Sequence, residues 1–143
     1  MLKQISIFVE NKPGRLSSVT KILSENKIDI KALSIADTKD FGILRLIVDN
    51  TDKAVDVLKK AGCTVTQTSV IGMSVEDRPG GLADIMSILY ENGIGVEYMY
   101  AFVSKPDENT AFVILRVENN DKTTSVLEKN NIRLLSSIDV KNM

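Results

Sequence analysis

Glu10-Asn11-Lys12-Pro13-Gly14-Arg15-Leu16 returns 66 positions later as Glu76-Asp77-Arg78-Pro79-Gly80-Gly81-Leu82. Before each copy runs an alternating stretch. Ile71, Met73 and Val75 interleave with Gly72, Ser74 and Glu76, the period of a half-buried strand. After each copy the period changes. Leu16, Val19, Ile22 and Leu23, and likewise Leu82, Ile85, Met86 and Leu89, recur at helical spacing. Pro-Gly therefore marks a strand-to-helix turn, made twice. Proline near a first helical turn gives up an N–H that has no partner there. Glycine lets backbone approach a neighbour without a Cβ in the way. The remaining N–H groups sit at the positive end of the helix dipole, a place suited to a carboxylate. Asn11 and Asp77 are candidates for capping these helices or for holding a ligand ammonium. The same features also serve a plain turn.

The similarity extends well beyond the turns. Ile22 to Asn26 returns as Ile88 to Asn92, still 66 positions on. Val48-Asp49-Asn50-Thr51-Asp52-Lys53 returns as Val117-Glu118-Asn119-Asn120-Asp121-Lys122, now 69 positions on. The extra residues fit the polar stretch Ser104 to Asn109, opposite Asp37-Thr38-Lys39-Asp40. Matched pattern on both sides of a lengthened turn is what duplication followed by loop drift leaves.

Each copy reads as strand, helix, strand, strand, helix, strand. Asn26-Lys27 and Asn92-Gly93 stop the first helices. Ile28 to Ala36 and Ile43 to Val48, with Ile94 to Val103 and Phe112 to Val117, are the middle strands. Thr51-Asp52 and Asn120-Asp121 offer N-cap chemistry for the second helices. Thr64 to Thr68 and Arg133 to Ile138 are the closing strands. The expected fold is α+β: two ferredoxin-like βαββαβ modules in tandem, residues 1–69 and 70–143, packed side by side. Each has an antiparallel sheet with its helices on one face. A module of about 70 residues is near the lower limit for an independent core, so the copies should share buried surface. In Ile43 to Val48 and Phe112 to Leu115 both faces carry aliphatic side chains. Either the helix-free face packs on another module or subunit, or these are ordinary central strands with a few exposed apolar residues.

Composition narrows the function. The 143 residues are 43% hydrophobic and 26% charged with a net charge of −1, normal for a folded globular chain and without a basic block. That disfavours nucleic acid and membrane surfaces as partners. The aromatic residues of the second copy lack the flanking basic side chains that accompany base stacking. No signal peptide or membrane-length apolar run is apparent, which suggests a cytoplasmic protein. With no histidine and a single cysteine, Cys63, no zinc site of the usual type and no internal disulfide can form. Cys63 reads as a small buried apolar residue at a strand start. No nucleophile–base pair is evident, and Glu10 and Glu76 read as solvated strand ends. The expectation is a protein that is not an enzyme and uses no cofactor or metal.

A strand ending in Asn or Asp, then one residue, Pro-Gly, one residue and Leu, in this element order, resembles the ACT domain signature. The resemblance covers nearly the whole chain, twice. It implies a regulatory module that binds a free amino acid where two modules meet. The loop after the first strand of one module holds the amino and carboxylate groups, and the second strand of its neighbour helps close the pocket. Carried onto this sequence, it implicates Asn11, Lys12, Pro13, Gly14, Arg15 and Leu16, with Asp29 and Ile30. In the second copy it implicates Asp77, Arg78, Pro79, Gly80, Gly81 and Leu82, with Gly95 and Val96. Serine-binding members have Asn where Asn11 and Asp29 stand and His where Val9 stands. Here the first Asn is kept, the second is Asp and the His is absent, a departure from the serine-binding pattern. Tyr98 and Tyr100 either line a pocket or pack in a core. The resemblance further implies a homodimer and a regulated enzyme partner. The alternative is a structural dimerisation module that has lost its ligand.

Overall fold

The computed structural model describes residues 1–38 and 40–143; of the turn opposite the lengthened one, Lys39 lies outside the described residues. The first copy supplies β1 (Leu2–Glu10), α1 (Arg15–Glu25), β2 (Ile30–Asp37), β3 (Phe41–Val48) and α2 (Thr51–Lys60). Then come β4 (Thr64–Glu76), α3 (Gly81–Glu91), β5 (Val96–Ala101), β6 (Thr110–Val117), α4 (Asn120–Lys129), β7 (Leu134–Leu135) and α5 (Ser137–Lys141). The repeated βαββαβ order stands.

The two copies share β4. The expected closing strand of the first and opening strand of the second are one 13-residue strand. The 69/70 division falls inside it. Residues Thr64 to Val70 pair with β1, and the following half pairs with β6 and β7, all antiparallel. The strands run in the order β2-β3-β1-β4-β6-β5, with β7 also on β4. Val65 contributes to the core beneath α1 and α2, and Ile71, Met73 and Val75 to the core beneath α3 and α4. These residues share the odd positions of one strand, so both helix layers cover the same face of a continuous sheet.

The helix-free face curls in on itself. Ala32 of β2 bridges Phe102 just beyond β5, and the Val103 N–H donates to the Lys31 carbonyl at 2.8 Å, so the outermost strands meet. Inside the curl Leu2, Ala32, Ile47 and Val70 pack against Phe102, Phe112, Ile114 and Leu135. On the second faces of β3 and β6, Ile47, Phe112 and Ile114 thus cover the other module, whereas Ile43 stays half-exposed. Gln4 is fully buried in this interface. Its amide nitrogen donates to Tyr98 Oη at 2.8 Å, and Tyr100 Oη donates to its amide oxygen at 2.7 Å. The Arg45 guanidinium lies 3.7 Å from the centre of the Tyr98 ring. Tyr98 and Tyr100 are therefore part of the packing between modules.

Local capping departs from the sequence reading in two places. The caps of α2 and α4 are Asn50 and Asn119, one residue earlier than expected; their side chains accept from the N–H groups of Lys53 and Lys122. The expected strand over Arg133 to Ile138 is present but much shorter. Only Leu134 and Leu135 join the sheet, because Ser136 and Asp139 form a reciprocal capping box that starts α5. Cys63 is half-buried just before β4, against the first helix-covered core.

Candidate ligand-binding site

The two Pro-Gly loops adopt one geometry. Gly14 and Gly80 take left-handed φ values of 87° and 89°, which L side chains rarely adopt, and open α1 and α3. The Lys12 N–H donates to the Glu10 carbonyl at 2.8 Å, as the Arg78 N–H does to that of Glu76 at 3.0 Å. Neither helix has a side-chain cap, so Asn11 and Asp77 do not serve as caps. Their backbone N–H groups donate instead to the Asp40 and Asn109 carbonyls. The contrast with α2, α4 and α5, all capped by a side chain, is consistent within the molecule.

The charges around the loops differ. In the first copy Lys12 Nζ lies 3.1 Å and Arg15 Nη2 3.7 Å from Glu10. The hydrogen bond from Lys12, with both positive charges, holds the Glu10 carboxyl below the usual range. In the second copy Arg78 spans Glu76 at 2.5 Å and Asp84 at 2.8 Å, and Lys105 pairs with Asp77. Both carboxylates, Glu76 foremost, push the Arg78 guanidinium pKa further up. Gly81 stands where Arg15 stands in the first copy, and a Cβ there would lie 2.1 Å from the Glu76 carbonyl oxygen. The second loop is thus drawn against its own strand, and the first is looser.

Asn11, Lys12, Arg15 and Leu16 come together with Val9 and Ile35 around a hollow of about 80 Å³. That is well below the roughly 300 Å³ or more of ordinary ligand pockets. Asp29 and Ile30 line a separate depression beside the end of α1. The Asp29 carboxylate is held by buried Lys31 at 2.8 Å. Gly95 and Val96 border a hollow of about 960 Å³, with Met1, Ser69 and the start of α4. Arg78 and Gly81 border another, Asp77 is tied to Lys105, and Leu82 packs at the edge of the second core. Pro13, Gly14, Pro79 and Gly80 shape the turns. Among the described residues, then, these hollows do not join the loop residues to the strand residues. Sequence reasoning missed Lys31, Lys105 and Gln4. Their partners lie 2 and 112, 28, and 94 and 96 positions away, and no local pattern announces the distant ones.

Among the described residues no cluster of His, Cys, Asp or Glu has the makings of a metal site, and no helix is long and apolar enough to cross a membrane. A family model described as an ACT domain pair matches residues 1–143. The chain belongs to the ACT domain pair family. This ACT pair is similar to protein BT0572 from Bacteroides thetaiotaomicron, at 42% identity over 99% of this chain and 96% of that chain, with a TM-score of 0.92. It is also similar to the regulatory subunit of aspartate kinase from Thermus thermophilus in its ligand-free form: 16% identity, 89% and 91% coverage, TM-score 0.65. The corresponding subunit from Thermus flavus gives 15%, 89% and 90%, and 0.60. At such identities the two subunits establish the fold of the ACT pair. Comparison with curated proteins yields no match. ACT pairs are regulatory domains, and the tandem ferredoxin-like architecture expected from the sequence is theirs.

Proposed function

We propose that this ACT pair is an amino-acid-responsive regulatory module rather than an enzyme, acting as a homodimer on a partner enzyme. The observation that carries the reading is the contrast in capping. Both Pro-Gly loops open onto helix N-termini without a side-chain cap, whereas the other three helices are capped by their own side chains. Uncapped N–H groups at the positive end of a helix dipole suit a carboxylate. The separation of the loop set (Asn11, Lys12, Arg15) from the strand sets (Asp29 with Ile30, Gly95 with Val96) supports a site completed by a second copy of the chain. A ligand bridging two copies biases their packing, which is what passes occupancy to a partner.

A ligand of about ten heavy atoms reaches micromolar to millimolar affinity without a deep pocket. The test is thermal stability against the twenty amino acids at a few millimolar. A ligand at about 100 times its dissociation constant adds roughly 2.7 kcal/mol, several degrees for a chain this size. One clear shift, weakened by changing Asn11 or Asp77, supports the module. The self-satisfied second loop, with Arg78 spanning two carboxylates, favours a second reading: a dimerisation module without a ligand. A flat panel with an intact dimer selects that one.

A further inference from the structure

The two Pro-Gly loops share a backbone geometry but not a set of charges. Three replacements separate them: Asp77 stands for Asn11, Gly81 for Arg15 and Asp84 for Ser18. Each changes what the second loop can bind. Asp77 brings a full negative charge, and Lys105 of the lengthened turn pairs with it. The neutral Asn11 holds that position in the first copy, so no ion pair can form there whichever lysine stands opposite. Asp84 gives Arg78 a second carboxylate at 2.8 Å, beside Glu76 at 2.5 Å. Gly81 lets the loop close until a Cβ would lie 2.1 Å from the Glu76 carbonyl oxygen.

The second loop thus spends its polar groups on its own chain. An α-amino acid brings one ammonium and one carboxylate. The Lys105 ammonium already sits on Asp77, and the carboxylates of Glu76 and Asp84 already engage the fork of Arg78. The first loop keeps more to offer. Arg15 reaches Glu10 only at 3.7 Å and shares it with Lys12 at 3.1 Å, so two cations face one carboxylate. A tethered group competes as an intramolecular partner, with an effective concentration in the millimolar range. Free amino acid at millimolar levels therefore meets a rival at comparable concentration on Asp77.

We propose that Lys105 is a built-in latch: its ammonium stands in for that of a ligand on Asp77, so that the first loop fills before the second. The proposal rests on the amino-acid reading above and adds which loop responds first and what holds the other back. An exposed ion pair shifts an equilibrium by no more than about fivefold. The latch therefore sets an order of filling, not a permanent block, and gives the chain two thresholds for one metabolite.

The test is a titration of the full chain, labelled with nitrogen-15, with each of the twenty amino acids, following backbone amide signals. The expected result is that an amino acid moves residues 10–16 at a concentration at least about threefold lower than residues 76–82. Lys105→Met should lower the second midpoint about two- to fivefold and leave the first unchanged. Lys105→Arg keeps the cation and should titrate as the native chain does. A second loop that fills as readily as the first in the native chain, or that ignores Lys105→Met, overturns the latch and leaves the regulatory reading standing. If no amino acid moves any signal in the three proteins, the regulatory reading falls and the latch with it.

Discussion

Lys31 Nζ donates to the main-chain oxygen of Met143 at 2.8 Å, across 112 positions of sequence. The lysine is 8% exposed, and its second partner is the carboxylate of Asp29 at 2.8 Å. One buried ammonium therefore ties the first residues of β2 to the segment that closes the second copy. It does so at the seam where Ala32 meets Phe102. The apolar surface beside it includes Val140 and Met143.

Lys31→Ala removes both contacts and the packed stem. A buried hydrogen bond to a charged group is worth about 1.5–3 kcal/mol, so the variant should unfold at lower denaturant by about 2 kcal/mol. Lys31→Arg, which keeps a charge, should recover part of this. Chemical denaturation of the three proteins checks it; equal midpoints would mean the seam does not depend on this pair.

Gly81→Ala places a Cβ against the Glu76 carbonyl oxygen, a backbone atom that cannot swing away. Overpacking of this kind costs about 1–3 kcal/mol. The equivalent position in the first copy already carries Arg15, so Arg15→Ala should change stability by less than about 0.5 kcal/mol. Differential scanning calorimetry of the two variants separates a closed second loop from an open first one.

Asn50→Ala and Asn119→Ala should each lose about 1 kcal/mol, because their side chains cap α2 and α4. Asn11→Ala should leave the ligand-free protein unchanged to within about 0.5 kcal/mol, since its side chain caps nothing. Its effect should appear only as a smaller thermal shift in the presence of amino acid.

Tyr100→Phe leaves the amide oxygen of buried Gln4 without its donor, at a cost of about 1–3 kcal/mol near neutral pH. Burial, and then the neighbouring Tyr98, raise the Tyr100 phenol above its ordinary value. An acid with a raised folded pKa stays protonated in the fold while the unfolded chain ionises. Stability should thus fall as pH rises above about 10, by up to roughly 1.4 kcal/mol per unit. The Phe variant lacks this loss, so the gap between the two proteins should narrow with alkali. Unfolding followed from pH 8 to pH 11 reads it.

The sequence reading of the repeat and the element order rested on local signals, and these held. Pro13-Gly14 and Pro79-Gly80 made the turns, and Asn26 and Asn92 ended the helices. One local signal was passed over. Ser136 with Asp139 three residues on is a helix start, yet Leu134-Leu135 drew attention to a strand. For the candidate site, the residue types and the turn geometry were legible, but the arrangement of charges was not. The pairing of Lys105 with Asp77 joins two loops through a contact 28 residues long.

By itself the amino-acid sequence determined two βαββαβ units, their turns and their helix faces, because each depends on residues within a few positions of one another. Only the tertiary structure decided that the last strand of one unit is the first of the next, and that the sheet curls until Ala32 reaches Phe102. It alone placed Gln4 between Tyr98 and Tyr100 and set α5 against the seam. The contacts of Ala32 with Phe102 and of Gln4 with Tyr98 and Tyr100 join residues 70 or more positions apart. What selects them is the burial of the second, helix-free face, for which alternation along a strand marks the need without naming the partner.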